Sequence, residues 1–116
     1  MSEYLAPLKD IRFVMQDLAD LDQIVSLPGC EEATPDVVDA ILEEAAKFAS
    51  GVLSPLNHVG DQDGARWKDT VVTTSPGFKE AYRQFVDNGW NALGCDPEFG
   101  GQGLPRLLST AVSEMW

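Results

Sequence analysis

Little in this 116-residue chain invites metal, redox or membrane chemistry. Its two cysteines, Cys30 and Cys95, stand 65 positions apart, with no C-x-x-C pair and no histidine beside either. That excludes a zinc or dithiol motif and leaves two thiols suited to a reducing cytosol. No run approaches the roughly 18 apolar residues that a membrane-spanning helix needs. The opening MSEYLAPLKD has neither the basic nor the apolar stretch of a secretory leader, so a cytoplasmic location is expected. Basic residues are also scarce: eight Lys and Arg face nineteen Asp and Glu, a net charge of -11. Such a chain repels phosphate backbones and anionic headgroups, which argues against nucleic-acid or membrane-surface partners.

What is present is an ordinary globular mixture, 44% hydrophobic and 23% charged, of a length that suits one domain. The acid is uneven. Residues 1–64 carry thirteen acidic and three basic side chains, residues 65–116 six and five. A solvated acidic surface accounts for this, with a docking face for a basic partner as the alternative.

Apolar spacing predicts four helices. Ile11, Val14, Met15, Leu18, Leu21 and Val25 recur at three and four, after Pro7 and before Pro28-Gly29. Thr34 and Pro35 form an N-cap and first-turn signature for a second helix. Its stripe is Val37, Val38, Ile41, Leu42, Ala45, Phe48, Ala49 and Val52, and Ser54-Pro55 is expected to close it. Residues 56–74 read as a long connection in which only Thr70–Thr73 has strand character. Ser75-Pro76 repeats the cap signature for a third helix with Phe78, Ala81, Tyr82, Phe85 and Val86 on one face, ended by Asn88-Gly89. A glycine-rich loop, PEFGGQGLP, precedes a fourth helix from Pro105 bearing Leu107, Leu108, Ala111, Val112, Met115 and Trp116. The expectation is an all-α fold, a small antiparallel helical bundle.

The fourth helix has no stop signal and finishes on Met115 and Trp116. We therefore expect residues 1–116 to be one helical domain at the amino-terminal end of a longer protein. Left without partners, Leu108, Val112, Met115 and Trp116 would drive self-association.

Catalytic patterns are missing. The DQDG stretch places Asp61, Asp63 and Gly64 in the register of a calcium loop, but Val59 and Thr70 fall where carboxylates are needed. Gly100-Gly101-Gln102-Gly103 has neither dinucleotide nor P-loop spacing and reads as a turn requiring positive φ. His58, the only histidine, has no orienting partner in sequence and reads as a surface residue. Adjacent pairs such as Glu31-Glu32 and Glu43-Glu44 point about 100° apart on a helix and do not converge. Trp67 and Trp90 could line a pocket, though large aromatics more often belong to a core. No catalytic, cofactor-binding or metal-binding residue is assigned.

Taken together, YLAPLKDIRFV, SPLNHVGDQDG, PGFKEAYRQFVDNGWNALGCDPEFGGQGLP and SEMW resemble the amino-terminal region of the acyl-CoA dehydrogenase family. They are most similar to its long bacterial branch, the 3-methylmercaptopropionyl-CoA dehydrogenase-like proteins. PEFGGQGLP followed by a helix with Ser113-Glu114 is the most specific element.

The resemblance implies a helical amino-terminal domain followed by a β domain and a carboxy-terminal helical domain, with FAD as cofactor. It implies an acyl-CoA substrate, an electron-transfer acceptor and a homo-oligomer. In that family a carboxylate takes the α-proton of the thioester while a β-hydride leaves to the flavin, giving a trans-2-enoyl-CoA. The thioester carbonyl's hydrogen bonds acidify the α-proton enough for a positioned Glu. That Glu and the main flavin contacts belong to the later domains, so neither Glu98 nor Glu114 inherits the role, and this chain alone is expected neither to bind FAD nor to turn over. The family's amino-terminal helices help to wall the acyl-chain end of the pocket. The competing reading is a free-standing acidic helical interaction module without chemistry.

Overall fold

Thr34 starts the longest element as its spacing requires. Its Oγ1 accepts from the Val37 N–H at 3.4 Å, and Pro35 occupies the first turn of α3 (Pro35–Phe48). In the computed structural model, which describes residues 3–116, this helix does not stop at Ser54-Pro55. It passes through one wide π turn (Ala49–Leu53) into α4 (Ser54–Asp63). The expected terminus fails for a local reason. A proline inside a regular helix clashes with the carbonyl four residues back and leaves it without a donor. Here that position is Gly51, inside the π turn, and Pro55 falls in the first turn of the next regular segment. The residues read as a connection are thus helical as far as Asp63.

The first predicted helix is likewise divided. It consists of α1 (Leu8–Phe13), a π turn (Val14–Leu18) and α2 (Leu21–Val25). The break is at Asp20, a left-handed residue (φ 54°) whose carboxylate caps α2 by accepting from Gln23 N–H at 3.3 Å. The predicted stripe does not share one face: Ile11, Met15 and Leu21 are buried, whereas Val14 and Leu18, at the two ends of the π turn, are exposed.

The stretch after α4 forms a hairpin, β1 (Arg66–Lys68) with β2 (Val71–Thr73), antiparallel, with Trp67 opposite Val72. Only its second strand was foreshadowed in the sequence. Ser75 does not cap the third helix as expected. It is buried and its Oγ donates to the Gly64 carbonyl at 3.0 Å, closing the base of the hairpin. Gly77 (φ 88°) turns the chain into α5 (Phe78–Asp87), which ends at Asn88 and left-handed Gly89 as predicted. Two short 3₁₀ turns, Trp90–Ala92 and Pro97–Phe99, lead to α6 (Arg106–Ser113).

The core lies between α1, α3 and α6. Val38, Leu42 and Ala45 of α3 meet Ile11 and Met15 on one side and Leu108, Ala111 and Val112 on the other. Arg12 ties α1 to α3 at the rim, donating through Nε to Asp39 and through Nη2 to Glu43 at 3.0 Å. Its hydrogen bond to Asp39, followed by the charges of both carboxylates, raises the guanidinium pKa further. The fourth helix departs from expectation: Leu108, Val112 and Met115 are buried within this chain, and of the four residues expected to lack partners only Trp116 stays exposed. Self-association through that face therefore loses its basis.

The mainly helical fold matches the expected class, with the small sheet as an addition. It is also thin, measuring 53 × 36 × 17 Å. Its radius of gyration is 16.6 Å, against about 13 Å for a compact domain of this length. A body so flat cannot enclose every apolar side chain, and Trp67, expected in a core, is 72% exposed.

Candidate functional site: an aromatic groove

An open apolar groove of about 660 Å³ lies between the π turn, α4, α5 and the end of α6. Leu53 and Leu56 form one wall, Phe78, Tyr82 and Phe85 the other, and Met115 and Trp116 close one end. Two glycines bring the walls together. A β-carbon on Gly60 would stand 2.7 Å from the Phe78 ring, and one on Gly77 would stand 2.6 Å from Leu56. Both helices approach through hydrogen rather than methyl.

Trp116 organises the end of the groove. Its ring lies edge-on to Phe48, Phe85 and Trp90, with centroids 5.9, 5.7 and 5.4 Å away. Edge-to-face contacts at such separations add to what apolar burial contributes. Trp90 packs here as expected, yet its buried indole N–H has no hydrogen-bond partner. Side chains with polar groups are few: Ser54, whose Oγ accepts from Tyr4 N–H at 3.4 Å, Asn57, Glu114 and the tyrosines Tyr4 and Tyr82. Apolar walls with sparse polar groups suit a hydrocarbon-like ligand or an apolar partner surface.

The sequence-singled residues scatter. Glu114 borders the groove beyond α6, whereas Glu98 sits on the exposed Pro97–Phe99 turn with its N–H bonded to Asp96 Oδ1 at 2.9 Å. His58 is exposed on α4, which also carries Asp61 and Asp63 in its last turn. Among the described residues no cluster of three His, Cys, Asp or Glu could hold a metal, and no helix is long and apolar enough to cross a membrane. Cys30 and Cys95 are both free thiols.

The glycine-rich loop is consumed by its own structure. Gly100 N–H donates to Pro97 O, Gly101 to Asp96 O, Gln102 to Ala92 O, Gly103 to Cys95 O and Leu104 to Leu93 O, all between 2.9 and 3.1 Å. Gly100 and Gly103 adopt φ of 86° and 65°, as the turn reading required. With five successive amides turned inward, the loop has no nest of free N–H groups for a pyrophosphate. The residues present do not fit a flavin dinucleotide.

What the sequence missed is the groove. Leu53, Leu56 and Phe78 come from segments separated by a predicted connection, and the signal that could have joined them was the pair Gly60 and Gly77.

No family model matches the chain. It is 38% identical over 112 residues to a 3-methylmercaptopropionyl-CoA dehydrogenase of Ruegeria pomeroyi, covering 97% of this chain and 19% of that protein. It is 22% identical over 116 residues to a broad-specificity linear acyl-CoA dehydrogenase of Mycobacterium tuberculosis, again covering 19% of it. The chain thus spans about a fifth of the length of these curated relatives. Along nearly its whole length it is related to the acyl-CoA dehydrogenases, the family that its sequence resembles.

Proposed function

We propose that this chain is the amino-terminal helical domain of an FAD-dependent acyl-CoA dehydrogenase, an enzyme that oxidises an acyl-CoA thioester to the trans-2-enoyl-CoA and passes the electrons to a separate acceptor. The observation that carries this reading is the match to a dehydrogenase over 97% of the chain but only 19% of the relative. Two physical features support it. The body is too thin to bury its own aromatic wall, and among the described residues the groove is lined by a single carboxylate, Glu114. In this reading the β domain and carboxy-terminal helical domain supply the base and the flavin contacts, and the assembled enzyme is a cytoplasmic homo-oligomer.

The part of this chain is to exclude water and to wall the hydrocarbon side: Leu53, Leu56, Phe78 and Phe85 present apolar surface in an environment where charge on a substrate tail would be costly.

The test is a chimera in which these 116 residues replace the matched fifth of the Ruegeria relative. It should purify with flavin and reduce an artificial acceptor on addition of acyl-CoA. The isolated chain should be colourless and inactive in the same assay. A folded, flavin-loaded chimera with no turnover, or an isolated chain that binds stoichiometric flavin, would overturn the reading, and the former outcome would favour the acidic interaction module.

A further inference from the structure

Gly60 is a glycine that its backbone does not require. It lies inside α4 without a left-handed φ, where glycine weakens a helix relative to alanine. Gly51, earlier on the same helical run, has nothing within 4 Å of the place a β-carbon would take. At Gly60 that place is occupied: a β-carbon would stand 2.7 Å from Cζ and 3.1 Å from Cε2 of Phe78. Position 60 therefore lacks room, and what fills the room is the tip of one ring of the groove wall. The opposite wall repeats the arrangement, with a Leu56 methyl group where a β-carbon on Gly77 would come within 2.6 Å. Two lining side chains are each seated on a glycine of the facing segment.

Both seats lie away from the end that Trp116 closes. Phe85 meets Trp116 with ring centroids 5.7 Å apart, and Phe78 stands two helical turns earlier on α5, about 10 Å along its axis. The two phenylalanines share a helix face, and both line the groove. We propose that Phe78 is the far stop of the groove and that Gly60 holds this stop back, so that the pair sets the length of hydrocarbon chain the groove admits. The inference rests on the acyl-CoA reading and names the residues that would tune its substrate range.

The ring, not the backbone, yields to a group at position 60. Cζ is the far end of the Phe78 side chain, Phe78 is the first residue of α5, and it is 40% exposed. With α4 behind it, the displaced ring turns into the groove. Gly60 does not itself line the groove, so it is a positioning residue that acts through Phe78. Its effect is measurable because one methylene too many in a hydrocarbon pocket changes kcat/KM by about 10–200-fold.

The chimera with the Ruegeria relative, assayed as kcat/KM on saturated thioesters from butanoyl- to hexadecanoyl-CoA, tests the proposal. Gly60→Ala should lower the long-to-short ratio by about tenfold, and Phe78→Ala should raise it. In the double variant the methyl group has no ring to displace, so the ratio should follow Phe78→Ala alone. Gly51→Ala, with open space around it, should leave the profile unchanged. A uniform loss across all chain lengths would mean that Gly60 serves stability alone, and overturns the proposal. An active chimera whose ratio moves with neither variant also overturns it, since protein rather than substrate then covers the groove. Phe78→Ala removes atoms instead of adding them, and decides the matter where Gly60→Ala does not fold. A folded, flavin-loaded chimera that turns over no thioester defeats the acyl-CoA reading itself, and this inference falls with it.

Discussion

Gly101 packs so closely on Cys95 that a β-carbon at position 101 would stand 2.0 Å from the Cys95 carbonyl oxygen. The obstacle is backbone, itself held by the Gly103 N–H at 2.9 Å, so the loop must deform to admit even a methyl group. Gly101→Ala should lower stability by about 2–4 kcal/mol. Gly100→Ala, left-handed but with open space around it, should lower it by about 1–2 kcal/mol. Denaturant midpoints of the two variants check this ordering.

Gly51 predicts the opposite sign. It sits in a helical segment, has no left-handed φ, and would meet nothing within 4 Å. Gly51→Ala should stabilise the chain by up to about 1 kcal/mol through reduced backbone freedom of the unfolded state and better helix propensity. A drop in the thermal midpoint would mean that the wide turn needs glycine.

The hairpin turn gives a third prediction. Asp69 and Thr70 both hold positive φ, 50° and 65°, the pair of conformations a two-residue type I′ turn requires. Threonine is branched at Cβ and resists that region, whereas glycine enters it freely. Thr70→Gly should stabilise the hairpin by about 1 kcal/mol, read as slower amide exchange at Trp67 and Val72.

Within α3 the faces are sharply divided. Leu42 is fully buried, whereas Ile41, which the stripe also included, is only half-buried against the core. Leu42→Ala should cost about 3 kcal/mol. Glu43→Ala removes a solvent-exposed ion pair with Arg12 and should cost about 0.5 kcal/mol. Equal denaturation midpoints would contradict this division.

Most of the helical framework was legible because it rests on local signals. Thr34-Pro35, the stripe through Val38, Leu42 and Ala45, and the stop at Asn88-Gly89 each act within one or two turns. The misreadings have a common cause in irregular backbone. Pro55 signals termination only for a regular α-helix, and the π turn before it lifts the clash. Asp20 breaks a stripe whose spacing continues across it. The groove was illegible for another reason: its walls meet through the absence of side chains at Gly60 and Gly77, and an absence has no periodicity. The burial of Leu108 and Val112 against α3 could not be read from α6 alone, since an apolar face does not name its partner.

The helix from Pro35 to Asp63 also has a mechanical meaning. Its first half is clamped in the core by Val38, Leu42 and Ala45, while α4 buries no residue of its own. The Ala49–Leu53 turn is therefore the fulcrum of a lever. The ten residues of α4 reach about 15 Å beyond it, and each 10° of bending there displaces the far end by roughly 2.6 Å. Because α4 meets the start of α5 through Gly60 against Phe78 and Leu56 against Gly77, a bend at the fulcrum moves the groove wall and the hairpin together.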